Sequence, residues 1–424
     1  MADNLSEAPI WCDVGKNFSA AYSVVSFRHT ARRKYTRDGD SIKEVKICPQ
    51  RLEINSHEDT VDKVHAREDS VAVHFPVKVS PVLDFEWWVI PRSVSGLSTC
   101  GENEIQMRLG FEHQTSQESQ EEFTKRILKE ELSELRKGFH SVCCRMCGAS
   151  ILSAEIQFDR VLELPSENWL ELAQDWCCHG TSHLISATGV LEPSEKDCFV
   201  GEYYIKVHPS IVKPGRLQIS PGNEDQFIKC CRCKTTLGYV GVDSVVMDFS
   251  DVVSSIYLYK HAVSLPFSNL FRAYCIETFL SICLTSKSQG TTNFRFLIQE
   301  PKENGRRQAH ACVWLFNADA AMITNIESET LYTCYSEGGL YSVSNKARYL
   351  RVLKILYKTK PLLGTLWEDE VASWRNNPTV QPLTFQKETC LHLILLLMKS
   401  TTTVAPSMRE INGFKVGYLK TLNN

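Results

Sequence analysis

The chain has 424 residues, 43% hydrophobic and 23% charged, with a formal net charge of −3. That composition is globular and leaves room for two or three domains with buried cores. The near-neutral charge excludes a protein whose whole surface is a nucleic-acid footprint, so no direct nucleic-acid partner is expected.

The first residues, Met1-Ala2-Asp3-Asn4-Leu5-Ser6-Glu7, are acidic and polar and do not read as a secretory signal. The longest apolar run, within Leu391–Met398 and interrupted by His392, is far too short for a membrane span. A soluble intracellular protein is the expectation. Residues 10–114 read as mostly β, with strand patterns at Ala20–Phe27, Ser70–Val79, Phe85–Ile90 and Glu104–Leu109. The charged run Arg28–Lys34 reads as a solvated loop. Ser116–Arg136 has Phe123, Ile127, Leu128, Leu132 and Leu135 at helical spacing and predicts an amphipathic helix.

Ser150–Glu163 and Asp197–His208 return to strand-like alternation. Past Asp251 the composition changes: Phe267–Leu284 predicts a buried helix, and Asn293–Glu300 with Ala311–Asn317 predicts a strand pair around the Asn304-Gly305 turn. Asn345–Tyr357 and Thr389–Lys399 are expected as two more helices. The fold class is therefore α+β. A β-rich half, residues 1–250, carries the candidate metal site, and an α+β half, residues 251–424, follows.

Cysteine is the unusual component, 17 residues, of which nine lie between Cys143 and Cys233. In a reducing compartment such a density favours metal or reactive thiols over disulfides. Cys144-Arg145-Met146-Cys147-Gly148 and Cys230-Cys231-Arg232-Cys233 are both Cys-x-x-Cys turns. Two such knuckles supply the four thiolates of a closed tetrahedral zinc site, which is structural because no coordination position is left open. Gly148 suits the left-handed residue that closes such a turn. Cys143 and Cys231 compete for a place among the four ligands.

Between the knuckles, residues 164–201 concentrate Trp169, Trp176, Cys177, Cys178, His179, His183, Asp197 and Cys198. The irregular spacing leaves two readings open, a second metal site and a Trp-anchored loop that contacts another protein. Near the C-terminus, Thr389-Cys390 precedes an apolar helix. A thiol at a helix N-terminus is a candidate nucleophile, and the apolar residues after it equally suit a core cysteine.

The run Leu164-Pro165-Ser166-Glu167-Asn168-Trp169, with Trp176-Cys177-Cys178-His179, Asp197-Cys198-Phe199-Val200-Gly201 and Cys230-x-x-Cys233 before Leu237-Gly238, resembles the HECT-like ubiquitin-protein ligase family. The resemblance extends from Ser141 to the end of the chain and includes Phe294-Arg295-Phe296, Trp314-Leu315-Phe316-Asn317 and Thr389-Cys390-Leu391. It implies binding of a ubiquitin-conjugating enzyme and of cyclin B, self-ubiquitination, a cytoplasmic and nuclear location, and Cys390 as thioester acceptor. The helix expected at Phe267–Leu284 is its candidate contact for the conjugating enzyme. The knuckles with Leu237-Gly238-Tyr239 are similar to the Yippee, Mis18 and cereblon group, which implies two β-sheets around one structural zinc. The Trp-Cys-Cys-His to Asp-Cys-Phe segment resembles a motif in a nuclear HEAT-repeat protein. That likeness implies the alternative of a non-catalytic holdase whose Cys178, His179 or Cys198 reaches the metal of a metallo-β-lactamase endonuclease of RNA processing.

Overall fold

The computed structural model describes residues 120–138, 141–152, 157–164, 192–220, 226–242, 253–289, 293–302, 305–327, 342–361 and 366–422. Before them it describes the strands β1 (Ile10–Gly15), β2 (Ser23–Arg28), β3 (Ile42–Cys48), β4 (Arg51–Ser56), β5 (Ser70–His74), β6 (Glu86–Val89), β7 (Ser95–Cys100), β8 (Glu104–Leu109) and β9 (Phe111–Gln114). Strands were expected at β2, β5, β6 and β8. Residues 29–34 of the charged run lie outside the described residues.

The expected amphipathic helix is α1 (Gln120–Arg136). Leu128 and Leu135 are buried, and Phe123, Ile127 and Leu132 pack against the same core. After it come β10 (Cys143–Cys144), β11 (Arg160–Glu163), β12 (Asp197–Val200), β13 (Tyr204–Val207), β14 (Leu217–Ile219), β15 (Phe227–Cys230), β16 (Thr236–Val242), β17 (Val253–Tyr259) and β18 (Val263–Ser264). Seven of these form one sheet in the order β11-β12-β13-β17-β16-β15-β14. Burial follows position in the sheet: the edge strand β11 buries Val161 alone, whereas all four residues of β12 are buried. Gly238 has a specific reason to be glycine, because a Cβ there would stand 1.7 Å from the Tyr257 carbonyl oxygen on β17.

The remaining elements are α2 (Ile276–Gln289), β19 (Arg295–Pro301), β20 (Arg307–Glu327), β21 (Ser342–Thr359), α3 (Leu366–Arg375), β22 (Val380–Thr384), α4 (Lys387–Thr403), β23 (Glu410–Ile411) and β24 (Phe414–Lys420). They build a ten-stranded sheet, β23-β24-β21-β20-β1-β2-β8-β7, with β19 joined to β20 and β22 to β19. The 21-residue β20 carries register shifts at Leu315/Asn317, Asn317/Ala320 and Thr324/Ile326. Such bulges bend a strand, and here Arg307–Trp314 pairs β19 while Ala320–Thr324 pairs β1. Alternation divides β19 between two cores. Phe296 and Ile298 face the helices α2 and α4, and Leu297 packs with Trp367, Val371 and Trp374 of α3.

Two expectations change. The helix predicted over Asn345–Tyr357 is part of the strand β21: Arg351, Val352, Leu353, Ile355, Leu356 and Tyr357 are buried in near succession, so the strand is covered on both faces there and shows no period of two. The helix predicted from Phe267 begins at Ile276, and residues 265–275 form turns in which Phe267 and Phe271 take left-handed φ of 65° and 64°. On either side of the boundary expected near Asp251, β16 and β17 are paired neighbours, and β1, β2, β7 and β8 share a sheet with β19–β24. Among the described residues no helix is long and apolar enough to cross a membrane.

Candidate metal centre and the residues around it

Each knuckle is a turn that closes on itself. Cys144 N–H donates to Ala149 O and Gly148 N–H to Cys144 O, both at 2.8 Å. In the second knuckle Cys230 N–H donates to Thr235 O at 2.9 Å and Lys234 N–H to Cys230 O at 2.8 Å. The residue after the second cysteine is left-handed in both, Gly148 at φ 70° and Lys234 at φ 62°. Glycine takes that conformation freely, while a side chain there costs about 1–2 kcal/mol. Lys234 bears this strain with its Nζ donating to Gln218 Oε1 at 2.8 Å.

The turns bring the sulfurs of Cys144, Cys147, Cys230 and Cys233 within 4.8 Å of one another. Cys144 Sγ lies 3.6 Å from Cys233 Sγ, and Cys147 Sγ 3.6 Å from Cys230 Sγ. A tetrahedral zinc with Zn–S near 2.3 Å has sulfur–sulfur edges of about 3.8 Å, so the four residues fit a metal ion of that type. Cys143 and Cys231 stand outside the cluster. Cys143 pairs with Ser264 in the β10–β18 ribbon, and Cys231 N–H donates to Arg216 O at 3.0 Å. Burial pushes the Cys144 thiol up to about 12. At Cys233 burial is outweighed by hydrogen bonding with Thr235, Cys144 and Cys147, which lowers the thiol to about 6. A divalent ion bound there takes its sulfur ligands as thiolates.

Arg145, inside the first knuckle, escaped the sequence reading. Its guanidinium donates to the carbonyl oxygens of Val263 (3.2 Å), Lys260 (3.3 Å), Phe271 (2.5 Å) and Tyr274, and its backbone N–H donates to Ala262 O at 3.0 Å. The side chain therefore fastens the knuckle to the turns of residues 260–274. No periodicity marks such a role, because the acceptors are backbone carbonyls more than a hundred residues away in sequence. Beside it Lys260 is fully buried, with Nζ donating to Glu131 Oε2 at 2.5 Å, Glu202 O at 3.2 Å and Tyr274 Oη at 3.3 Å. Burial draws the Lys260 amine below its ordinary value and pushes the Tyr274 phenol well above its own.

Trp169, Trp176, Cys177, Cys178, His179 and His183 lie outside the described residues. The other two members of that group, Asp197 and Cys198, are buried. Asp197 is 1% exposed and accepts hydrogen bonds from Arg160 Nε (2.7 Å), Arg160 Nη2 (2.6 Å), Ser194 Oγ (2.7 Å) and Ser194 N–H (2.9 Å). Burial opposes ionisation there, and these bonds outweigh it and hold the carboxyl below its usual range. Cys198 is fully buried in β12, and burial pushes its thiol strongly upward. The helix expected from Thr389 begins at Lys387 and places Cys390 in the first turn of α4, yet this thiol too is fully buried, 3.6 Å from Gln299 O and 3.7 Å from Phe385 O. Burial pushes this thiol up to about 12, with the Glu300 carboxylate adding to the shift.

Residues 36–416 match the family described as HECT-like ubiquitin-conjugating enzyme (E2)-binding. The chain belongs to this HECT-like E2-binding family. Among its relatives, the E3 ubiquitin-protein ligase E3D of Mus musculus is 28% identical over 334 residues, which cover 78% of this chain and 83% of the mouse protein. The E3 ubiquitin-protein ligase E3D of Homo sapiens is 29% identical over 295 residues, covering 65% of this chain and 72% of the human protein. An uncharacterized protein of Saccharomyces cerevisiae is 21% identical over 284 residues, covering 66% and 68%. No solved structure matches the chain. A HECT-like E2-binding protein has a ubiquitin-conjugating enzyme as partner and works in ubiquitin ligation. The match spans both knuckles and the α4 cysteine, so the cluster and Cys390 belong to the E2-binding family region.

Proposed function

We propose that this chain is a ubiquitin-protein ligase that holds a charged ubiquitin-conjugating enzyme next to its target and does not itself accept ubiquitin at Cys390. The burial of Cys390 carries this reading: a thiol with no exposed surface and a pKa raised to about 12 is neither accessible nor ionised near neutral pH. Ubiquitin then passes directly, as the target's lysine amine attacks the thioester carbonyl on the conjugating enzyme and that enzyme's cysteine leaves as a thiol. The four-cysteine cluster holds a structural zinc ion that supplies a cross-link between β10 and the β15–β16 hairpin, with no chemical step of its own.

The contact helix expected at Phe267–Leu284 is buried through Phe279, Leu280, Cys283 and Leu284, which leaves the turns before it as the exposed part. There Phe267 combines a left-handed backbone with a fully solvent-exposed ring, at 103%. Both features are unfavourable in the free protein, and strain of this kind gathers at functional positions. Phe267 is the residue proposed to dock the conjugating enzyme. Self-ubiquitination by the full chain with a panel of conjugating enzymes tests both parts. Cys390→Ala retains activity and Phe267→Ser loses conjugating-enzyme binding at least tenfold. A ubiquitin thioester trapped on Cys390, or abolished transfer in a folded Cys390→Ala protein, would overturn the direct-transfer reading.

A further inference from the structure

β14 closes one end of the seven-stranded sheet, beside the second cysteine knuckle, and pairs with β15 alone among the described strands. Cys231 N–H donates to Arg216 O at 3.0 Å and Ser220 N–H to Phe227 O at 2.8 Å. Antiparallel bonds alternate along a strand, so Arg216, Gln218 and Ser220 turn their backbone groups toward β15. The N–H and C=O groups of Leu217 and Ile219 therefore point to the open side, and none of them is bonded to a described residue.

The two faces of this edge differ in character. Leu217 and Ile219 lie on the inner face, half-buried and packed against the main core. The outer face is cationic. Gln218 stands opposite Lys229 on β15 and accepts a 2.8 Å bond from Lys234 Nζ, and Arg216 lies two residues back on the same face. Arg232, exposed at the tip of the knuckle, donates to Cys147 O at 3.3 Å. Residues 203–220 and 226–242 contain no Asp or Glu; Glu224 and Asp225, between the two stretches, lie outside the described residues. None of Arg216, Lys229, Arg232 and Lys234 forms an ion pair with a described residue.

Cations beside an open edge repel most strands that could add to it. A strand carrying carboxylates is the exception, because it meets both the backbone groups and the charges. We propose that the β14 edge takes up an extended acidic segment of a partner protein, added as a further strand in which carboxylates alternate with apolar residues. The period of two sets its carboxylates beside Arg216, Lys229 and Lys234 and its apolar side chains beside Leu217 and Ile219. A nucleic acid would use the cations but neither the strand edge nor the apolar face. The site shares no residue with Cys390, Phe267 or the four clustered cysteines, and its failure would leave the ligase reading untouched.

The test is fluorescence polarisation with the full chain and three fluorescein-labelled octapeptides. One alternates glutamate with valine, one alternates lysine with valine, and one has four glutamates followed by four valines. The alternating acidic peptide binds at least tenfold more tightly than either control, and salt weakens it. Arg216→Glu/Lys229→Glu lowers that affinity at least tenfold with an unchanged melting curve. Lys234→Gly removes an ammonium and relieves a left-handed residue, so it weakens binding several-fold in a protein at least as stable as the wild type. That variant decides the matter if the double variant fails to fold. Unchanged affinity in a folded double variant overturns the proposal, as does equal affinity for the alternating and block acidic peptides. Binding of single-stranded RNA that depends on the same cations, without peptide binding, overturns it as well.

Discussion

Replacing Arg145 with alanine removes a side chain that serves four backbone carbonyls, those of Lys260, Val263, Phe271 and Tyr274. A hydrogen bond contributes about 1 kcal/mol net, more when the donor is charged, and a buried carbonyl left unpaired adds its own desolvation penalty. Arg145 is half-buried, so we take the lower value for each bond and expect a loss of about 4 kcal/mol. In a protein of this size that lowers the melting midpoint by about 4–5 °C. Arg145→Lys keeps the charge but not the planar fork, and restores less than half of the loss. Urea titration followed by circular dichroism measures the first quantity. Hydrogen exchange adds a local readout, because amides of residues 260–274 lose protection before those of β19–β21. A loss below about 1 kcal/mol in Arg145→Ala, or full stability in Arg145→Lys, would refute the reading of Arg145 as the anchor of the knuckle.

Removing one sulfur of the proposed zinc site with Cys147→Ser should abolish metal binding and unfold the seven-stranded sheet, since structural zinc contributes on the order of 10 kcal/mol in small domains; metal analysis and thermal melting check it, and a metal-free variant that melts like the wild type contradicts it. Lys260→Met alone strands the Glu131 carboxylate and costs about 3–5 kcal/mol, whereas Lys260→Met/Glu131→Leu recovers most of that; equal losses in chemical denaturation would show that the pair does not act as a unit. Asp197→Asn should lose about 2 kcal/mol at neutral pH. Because the native carboxyl is held below its ordinary 3.8, its contribution is fully present above that value and vanishes as pH falls through the lower native one. The difference between the two proteins in acid titrations of stability therefore closes at low pH, and a gap that widened on acidification would disprove the assignment.

The knuckles were legible because a four-cysteine cluster leaves a local mark: two cysteines with two residues between them, and Gly148 after the second of the first pair. The amphipathic helix α1 was legible for a similar reason, its apolar spacing matching the helical turn. β21 was not, since a strand covered on both faces loses the alternation that announces a strand, and its identity is set by pairing with β20 and β24. The sequence shows the chemical character of Asp197 and Cys198 but not their burial, which the packing of β12 sets. The choice of Cys144 over Cys143, and of Cys230 over Cys231, needed the direction in which each sulfur leaves its turn. Cys390 stands at the start of a helix, as its neighbours predict, but only the packing of α4 on β19 decided that its thiol is enclosed. Sequence alone therefore determined the residue types and local turns of this protein, because those depend on neighbours along the chain. The tertiary structure decided which groups are accessible, ionised or anchored, because those properties depend on residues such as Arg145, Lys260 and Glu131 meeting partners more than a hundred positions away.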